Sequence, residues 1–322
     1  MTRFIDSTNK ASWMRSITIL MSKTTKTSGA KRPIVFFGTE DFSLYSLRAL
    51  VEHGFPIVAV VTKPDTLRGR GKKLTEPSVK TYALQHDIPV WQPSKLTEIT
   101  HEIQKLHHPL GVLVSYGKII PESILELFEP GIINVHPSLL PRYRGPSPIE
   151  SAIYNRDSHT GVTIMKLVKA MDAGPIYAQV PYALDYTETR PELYQTLGML
   201  GANFLVQKLP SIIDGILEPT PQDESAASYC KLLSKEDSLL DITTRTPGDL
   251  EAQVRAQLGY PKSRIVLGGH EIIVTKVHGV MTKKTPLDVQ CANGAFLSID
   301  ELVAPSGKIM DADAFLRGYP LS

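Results

Sequence analysis

From residue 33 onward, short apolar and β-branched runs alternate with stretches of helical periodicity, and this alternation narrows the possible folds more than any other feature of the chain. Ile34-Val35-Phe36-Phe37 reads as a strand, Gly38 opens a turn, and a helix follows over about residues 41–53. Residues 57–62 form a second strand, and 110–114 and 131–136 follow after further helical stretches. Strands that alternate with helices imply an α/β fold: a Rossmann-like, mostly parallel sheet with crossover helices on both faces. Two more strands are expected at 162–167 and 176–180, and Leu193, Leu197, Leu200 and Phe204 mark one face of a long helix ending near Gly215.

The pattern then changes. Pro219, Pro221, Gln222, Asp223, Glu224 and Ser225 form a polar, proline-bearing stretch that reads as an interdomain linker over 217–235. Beyond it lie a helical pattern over 247–258 and short strands at 263–267 and 271–277, which flank a tight turn at Gly268-Gly269-His270. Residues 295–302 are another strand candidate. The expected organisation is an N-terminal extension (1–32), a catalytic α/β domain (33–216), the linker (217–235) and a small, mostly β, barrel-like C-terminal domain (236–322). A chain of 322 residues is long enough for two cores.

Charge is informative only when divided. Residues 1–32 hold seven basic side chains and one acid, Asp6, which leaves 28 basic and 32 acidic residues, a net of −4, for the rest. The body is therefore not a general polyanion binder, and any nucleic-acid contact must be local. The extension is rich in Ser and Thr and poor in acids. It reads as a disordered or mis-started tail, with a transit peptide as the competing reading. No apolar run approaches the roughly 18 residues needed to cross a bilayer, so no membrane partner is expected. Cys230 and Cys291 stand far apart without metal-ligand spacing, as in a reducing compartment. His101, His107 and His108 cluster before Pro109, but their spacing fits no zinc pattern and they read as surface residues.

The chemistry concentrates in Gly131–Gly145. Side chains two apart on a strand share a face, so Asn134 and His136 point the same way. Pro137 cannot continue a central strand, which places both at its C-terminal end, the edge where open α/β sheets bind ligands. An amide and an imidazole side by side there suit polarisation of a carbonyl, since both donate hydrogen bonds to an oxyanion. Local physics leaves a satisfied polar histidine and a catalyst about equally supported. Asp172, in Met171-Asp172-Ala173-Gly174-Pro175, reads by itself as turn chemistry.

Beyond that point the sequence resembles a known family. Asn134-Val135-His136-Pro137-Ser138-Leu139-Leu140-Pro141-Arg142-Tyr143-Arg144-Gly145 is similar to the signature of folate-dependent formyltransferases, specifically the methionyl-tRNA formyltransferase family. The first strand and turn (35–42), Thr62-Lys63-Pro64-Asp65 with Gly69-Arg70-Gly71-Lys72-Lys73-Leu74, Ser115–Pro121 and Thr160–Met165 also match. The resemblance is dense over 33 to about 240 and weaker beyond. It implies a catalytic trio of Asn134, His136 and Asp172, and a folate-contacting loop of Ser138, Leu139, Leu140 and Pro141. It also implies 10-formyltetrahydrofolate as formyl donor without a metal, and charged initiator tRNA as acceptor.

The basic cluster Arg68, Arg70, Lys72 and Lys73, interleaved with Gly69 and Gly71, suits the phosphates and bases of an RNA end, although a solvated loop has the same composition. The resemblance aligns Arg70 with the family's recognition arginine. Residues 236–322 carry nine basic and eleven acidic residues, so a tRNA patch there must be local, around Lys262/Arg264 or Lys283/Lys284. Other acceptors keep the fold: glycinamide ribonucleotide, an amino-sugar nucleotide, or water, as in a formyltetrahydrofolate hydrolase. A non-catalytic folate or RNA binder is the reading from another class. A dinucleotide oxidoreductase fits poorly because the full GxGxxG is missing. A cytoplasmic monomer is expected, or an organellar one if 1–32 is a transit peptide.

Overall fold

The computed structural model describes residues 32–68 and 73–319. The expected strands and helices of the first part are present: β1 (Ile34–Gly38), α1 (Asp41–Glu52) and β2 (Ile57–Val61). A short antiparallel pair, β3 (Thr66–Arg68) and β4 (Lys73–Thr75), follows, then α2 (Ser78–Gln85), β5 (Val90–Trp91), a 3-10 turn at Leu96–Ile99 and α3 (Thr100–Gln104). β6 (Leu110–Val114), α4 (Glu122–Leu125), β7 (Ile132–His136), α5 (Pro148–Tyr154), β8 (His159–Lys166), β9 (Ile176–Ala183) and the 24-residue α6 (Arg190–Ile213) complete this part.

The strand order is β5-β2-β1-β6-β7-β8-β9. The first five strands are parallel, whereas β7–β8 and β8–β9 pair antiparallel. β9 carries Pro181 and takes the sheet's edge, where the missing N–H costs no ladder bond. Alternation along the buried strands separates two cores. Ile34, Phe36, Val60, Ile133 and Val135 pack under α1, α2, α5 and α6, while Val35, Phe37, Ala59, Val61 and Ile132 face the 3-10 turn, α3 and α4. Chain order reverses between β1 and β6, which makes the crevice above their C-terminal ends the topological switch point. There Thr39 and Glu40 donate their backbone N–H groups to Ser115 O, and Thr39 Oγ1 donates to Tyr116 O, tying the two loops together.

The C-terminal part contains α7 (Pro247–Gln257), β10 (Arg264–Leu267), β11 (His270–Val280), β12 (Val289–Gln290), β13 (Phe296–Val303), β14 (Ile309–Asp311) and α8 (Ala312–Gly318). β10-β11-β13 run antiparallel, with β12 and β14 on the far side of β13, as an antiparallel half-barrel. Gly268 and Gly269 have φ of 52° and 76°, the conformation a two-residue hairpin turn requires. α7 starts with a capping box, Thr246 with Asp249. Its Leu250 and Val254 enter the half-barrel core while Ala256 belongs to the core under the large sheet, so one helix joins the two parts.

Residues 217–235, expected as a linker, do not run free. Arg144 N donates to Ser228 O and Cys230 N to Arg144 O, so the segment lies as a parallel strap along Tyr143–Gly145. Among the described residues, no helix is long and apolar enough to cross a membrane.

Candidate active site

β7 ends at the edge of the switch-point crevice, and Pro137 stops it there. Ile132 faces the α3–α4 side, so the two-residue period places Asn134 and His136 on that side as well, beyond the reach of the covering helices. Each is 5% exposed. The sheet thus delivers two polar side chains to one buried spot by strand geometry alone.

Asp172 arrives from the loop between β8 and β9. Its Oδ1 lies 3.4 Å from Asn134 Nδ2 and 3.8 Å from His136 Nδ1, and its Oδ2 accepts from Gly145 N at 2.8 Å. His136 Nε2 lies 2.9 Å from Tyr143 O. A carbonyl only accepts, so Nε2 carries the hydrogen, and Nδ1 is the ring atom left to face Asp172 and a reacting group. The structure brings Asn134, His136 and Asp172 together.

The loop after β7 is fixed from several sides. Thr163 Oγ1 donates to Ser138 O at 2.7 Å and accepts from Leu140 N at 3.1 Å, and Gln179 Nε2 donates to Leu140 O at 2.8 Å. Ser138 Oγ donates to Arg142 O, and Leu140 is buried. Leu139 lies over Gly161, where an added Cβ would come 2.6 Å from Leu139 Cδ2 and 2.3 Å from Val180 O. Within Ser138–Pro141, Leu139 and Pro141 are half-buried, whereas Ser138 and Leu140 are buried. Tyr143 Oη donates to Asp157 Oδ2 at 2.7 Å, and burial followed by that bond pushes its phenol up from the ordinary value.

Of the four cations expected to meet RNA, Arg70 and Lys72 lie outside the described residues, as do Gly69 and Gly71. The backbones of Arg68 and Lys73 pair across β3–β4, so the expected glycine-rich loop has a two-stranded base. Leu67 and Leu74 face each other on it and are 63% and 60% exposed. Asp65 anchors this base. Its carboxylate accepts from Gln92 Nε2 at 2.8 Å and from Lys80 Nζ at 2.7 Å, and these two bonds, in that order, hold it below the usual carboxylate range.

Two family models match the chain: Formyl transferase over residues 31–209, and Formyl transferase, C-terminal domain, over residues 232–320. The methionyl-tRNA formyltransferase of Pelobacter propionicus is 36% identical over 305 residues, covering 91% of this chain and 95% of that one. The protein of the same name from Sulfurihydrogenibium is 40% identical over 304 residues, covering 89% and 97%. The chain belongs to the methionyl-tRNA formyltransferase family. Its fold is shared with WlaRD, a sugar 3N-formyl transferase solved with dTDP and 5-N-formyl-THF (TM-score 0.62, 19% identity, covering 83% of this chain and 97% of that one). It is shared also with HypX from Aquifex aeolicus, solved with tetrahydrofolic acid (TM-score 0.59, 16% identity, 88% and 46%).

Family membership makes two residues at this site more conspicuous, because the sequence did not single them out. Arg144 is fully buried, and Gln222 reaches the Asp172 loop from the strap. An arginine inside a proline-rich loop beside a strand-end histidine was the available signal for the first. Nothing local marks Gln222, whose partners lie 48 to 78 residues away in sequence.

Proposed function

We propose that this member of the family transfers the formyl group of 10-formyltetrahydrofolate to the α-amino group of methionine on charged initiator tRNA, with Asn134, His136 and Asp172 as the reacting centre. The convergence of these three side chains at the end of β7 carries the reading, together with relatives named for that activity along nearly their whole length. The donor set suits acyl transfer. One N–H of Asn134 and, when the ring is protonated, the Nδ1–H of His136 can donate to the formyl oxygen, where negative charge develops as the amine attacks. The new C–N bond forms as the bond to the folate nitrogen breaks. The amine gives up one proton and that folate nitrogen gains one.

Asp172 suits the proton-accepting role because its carboxylate is held by Gly145 N yet remains 15% exposed on its side chain. An α-amino group titrates near about 8, so a useful fraction is already nucleophilic at neutral pH. Leu139 and Pro141 form an apolar wall for the folate in this reading, with Ser138 and Leu140 shaping the loop from inside. The β3–β4 hairpin with Arg68, Arg70, Lys72 and Lys73 receives the tRNA end. The chain acts as a monomer in the compartment where translation starts.

The test is a choice of acceptor. Purified protein is incubated with 10-formyltetrahydrofolate and either methionyl initiator tRNA, glycinamide ribonucleotide or an amino-sugar nucleotide. Formyl transfer to the tRNA supports the reading. Transfer to a small amine alone, or release of formate with every acceptor, overturns it.

A further inference from the structure

The strap between the two parts enters the site, yet none of its side chains has a place in the chemistry above. We infer that Gln222, oriented by Arg144, is a positioning residue for Asp172, an inference that rests on the role proposed for Asp172.

Asp172 sits at φ 48°, the left-handed region that a non-glycine residue keeps only when its surroundings hold it there. That φ aims its side chain at Asn134, His136 and Gly145. Gln222 supplies the hold. Its Nε2 donates to Asp172 O at 2.7 Å and to Gly174 O at 2.8 Å, clasping the loop on both sides of Ala173. Gly174 closes the other end: a Cβ there would lie 1.8 Å from Lys166 O, so the loop is pressed against the end of β8.

The orientation of the Gln222 amide is not left open. Arg144 Nε and Nη2 donate to its Oε1 at 3.0 and 2.8 Å, and a guanidinium has no acceptor, so the oxygen must face Arg144 and the NH2 group must face the loop. All four hydrogen-bonding positions of the amide are thereby used. Arg144 is itself saturated. Its remaining N–H groups pair with both carboxylate oxygens of Glu224 at 2.9 and 2.7 Å and with Tyr229 Oη at 3.0 Å, so its five donors all end on the strap. The bond to Glu224 raises the affinity of Arg144 for its proton further. Its backbone lies one residue before Gly145, whose N–H holds the Asp172 carboxylate. One buried cation therefore fixes Asp172 twice, through Gln222 at the main chain and through its own neighbour at the side chain.

A residue that positions Asp172 and a residue that merely holds the strap predict different kinetics. Gln222→Met keeps the side chain's length and removes its hydrogen bonds. It is expected to lower kcat about tenfold to a hundredfold while KM for folate and for tRNA stays within about twofold. Asp172→Asn is measured beside it, and the double variant is expected to lose no more than Asp172→Asn alone, because both act on one group. If Gln222→Met does not fold, Gln222→Asn, which keeps the amide but cannot span the distance, takes the same measurements. A Gln222→Met kcat within twofold of wild type, or losses that multiply in the double variant, overturns the inference while leaving the role of Asp172 standing. An active Asp172→Asn overturns that role, and the inference with it.

Discussion

The segment from Pro137 to Gly145 is tied down by Thr163 on β8, Gln179 on β9, Asp157 and the strap, whereas the β3–β4 hairpin is fastened at its base by Asp65 and presents Leu67 and Leu74 to solvent. Both leave the same edge of one sheet. In the proposed mechanism the first steadies Asp172, which must meet a transition state within a fraction of an ångström, through Gly145 N, and its own polar groups are paired internally. The second suits a large, irregular, charged partner, for which surface and charge matter more than a fixed constellation. Rigidity and exposure are thus divided between two loops.

Substitutions should separate the two in kind as well as in size. Asn134→Ala, on the rigid side, is expected to lower kcat by about 10²–10³ with little change in tRNA KM, measured at saturating folate. Neutralising Arg68, Arg70, Lys72 and Lys73 together is expected to leave kcat nearly intact and raise tRNA KM by roughly tenfold or more. The dependence of binding on salt should flatten by about one unit in log–log slope for each tRNA phosphate that is no longer neutralised, read from titrations at several salt concentrations. A large kcat effect from the cations would break the division between the loops. Asp65→Asn, which weakens the hairpin's anchor without touching its cations, should raise tRNA KM about threefold, an effect of the size expected from losing one half-buried ion pair near the surface.

Asp288 lies outside both loops, immediately before β12 of the half-barrel. Asp288 is buried, which alone would raise its pKa. Hydrogen bonds from Lys284 N, Thr285 N, Thr285 Oγ1 and Ser298 Oγ outweigh that and bring it from 3.8 to about 2. A carboxylate with a depressed folded pKa contributes stability above its unfolded value and loses it as pH falls through the folded one. Asp288→Ala should therefore cost about 1–3 kcal/mol at neutral pH, and the deficit should shrink between pH of about 4 and about 2 in thermal melts. Catalysis at neutral pH should change little.

Much of this was legible in the sequence, for a physical reason. Period-two alternation and Pro137 place Asn134 and His136 on one face at a strand end, and the short apolar β1 and β6 runs, alternating with helical stretches, read as buried parallel strands. The Gly268-Gly269 turn is likewise local. What escaped depended on distant pairings. The direction of β8 and β9, the two-stranded base of the basic loop and the packing of 217–235 as a strap follow from register between segments. Arg144 and Gln222 are joined across 78 positions, and no periodicity reports such a bond.

Chemistry at the end of β7 is tested most directly by the single-turnover rate of His136→Ala with methionyl initiator tRNA and 10-formyltetrahydrofolate, both saturating and both shown to bind. With Nε2 committed to Tyr143 O, removing the ring removes Nδ1, the one ring nitrogen that faces Asp172 and the proposed reacting group, so the rate should fall by about 10²–10⁴. A rate within a few-fold of wild type would contradict the placement of the chemistry at the end of β7.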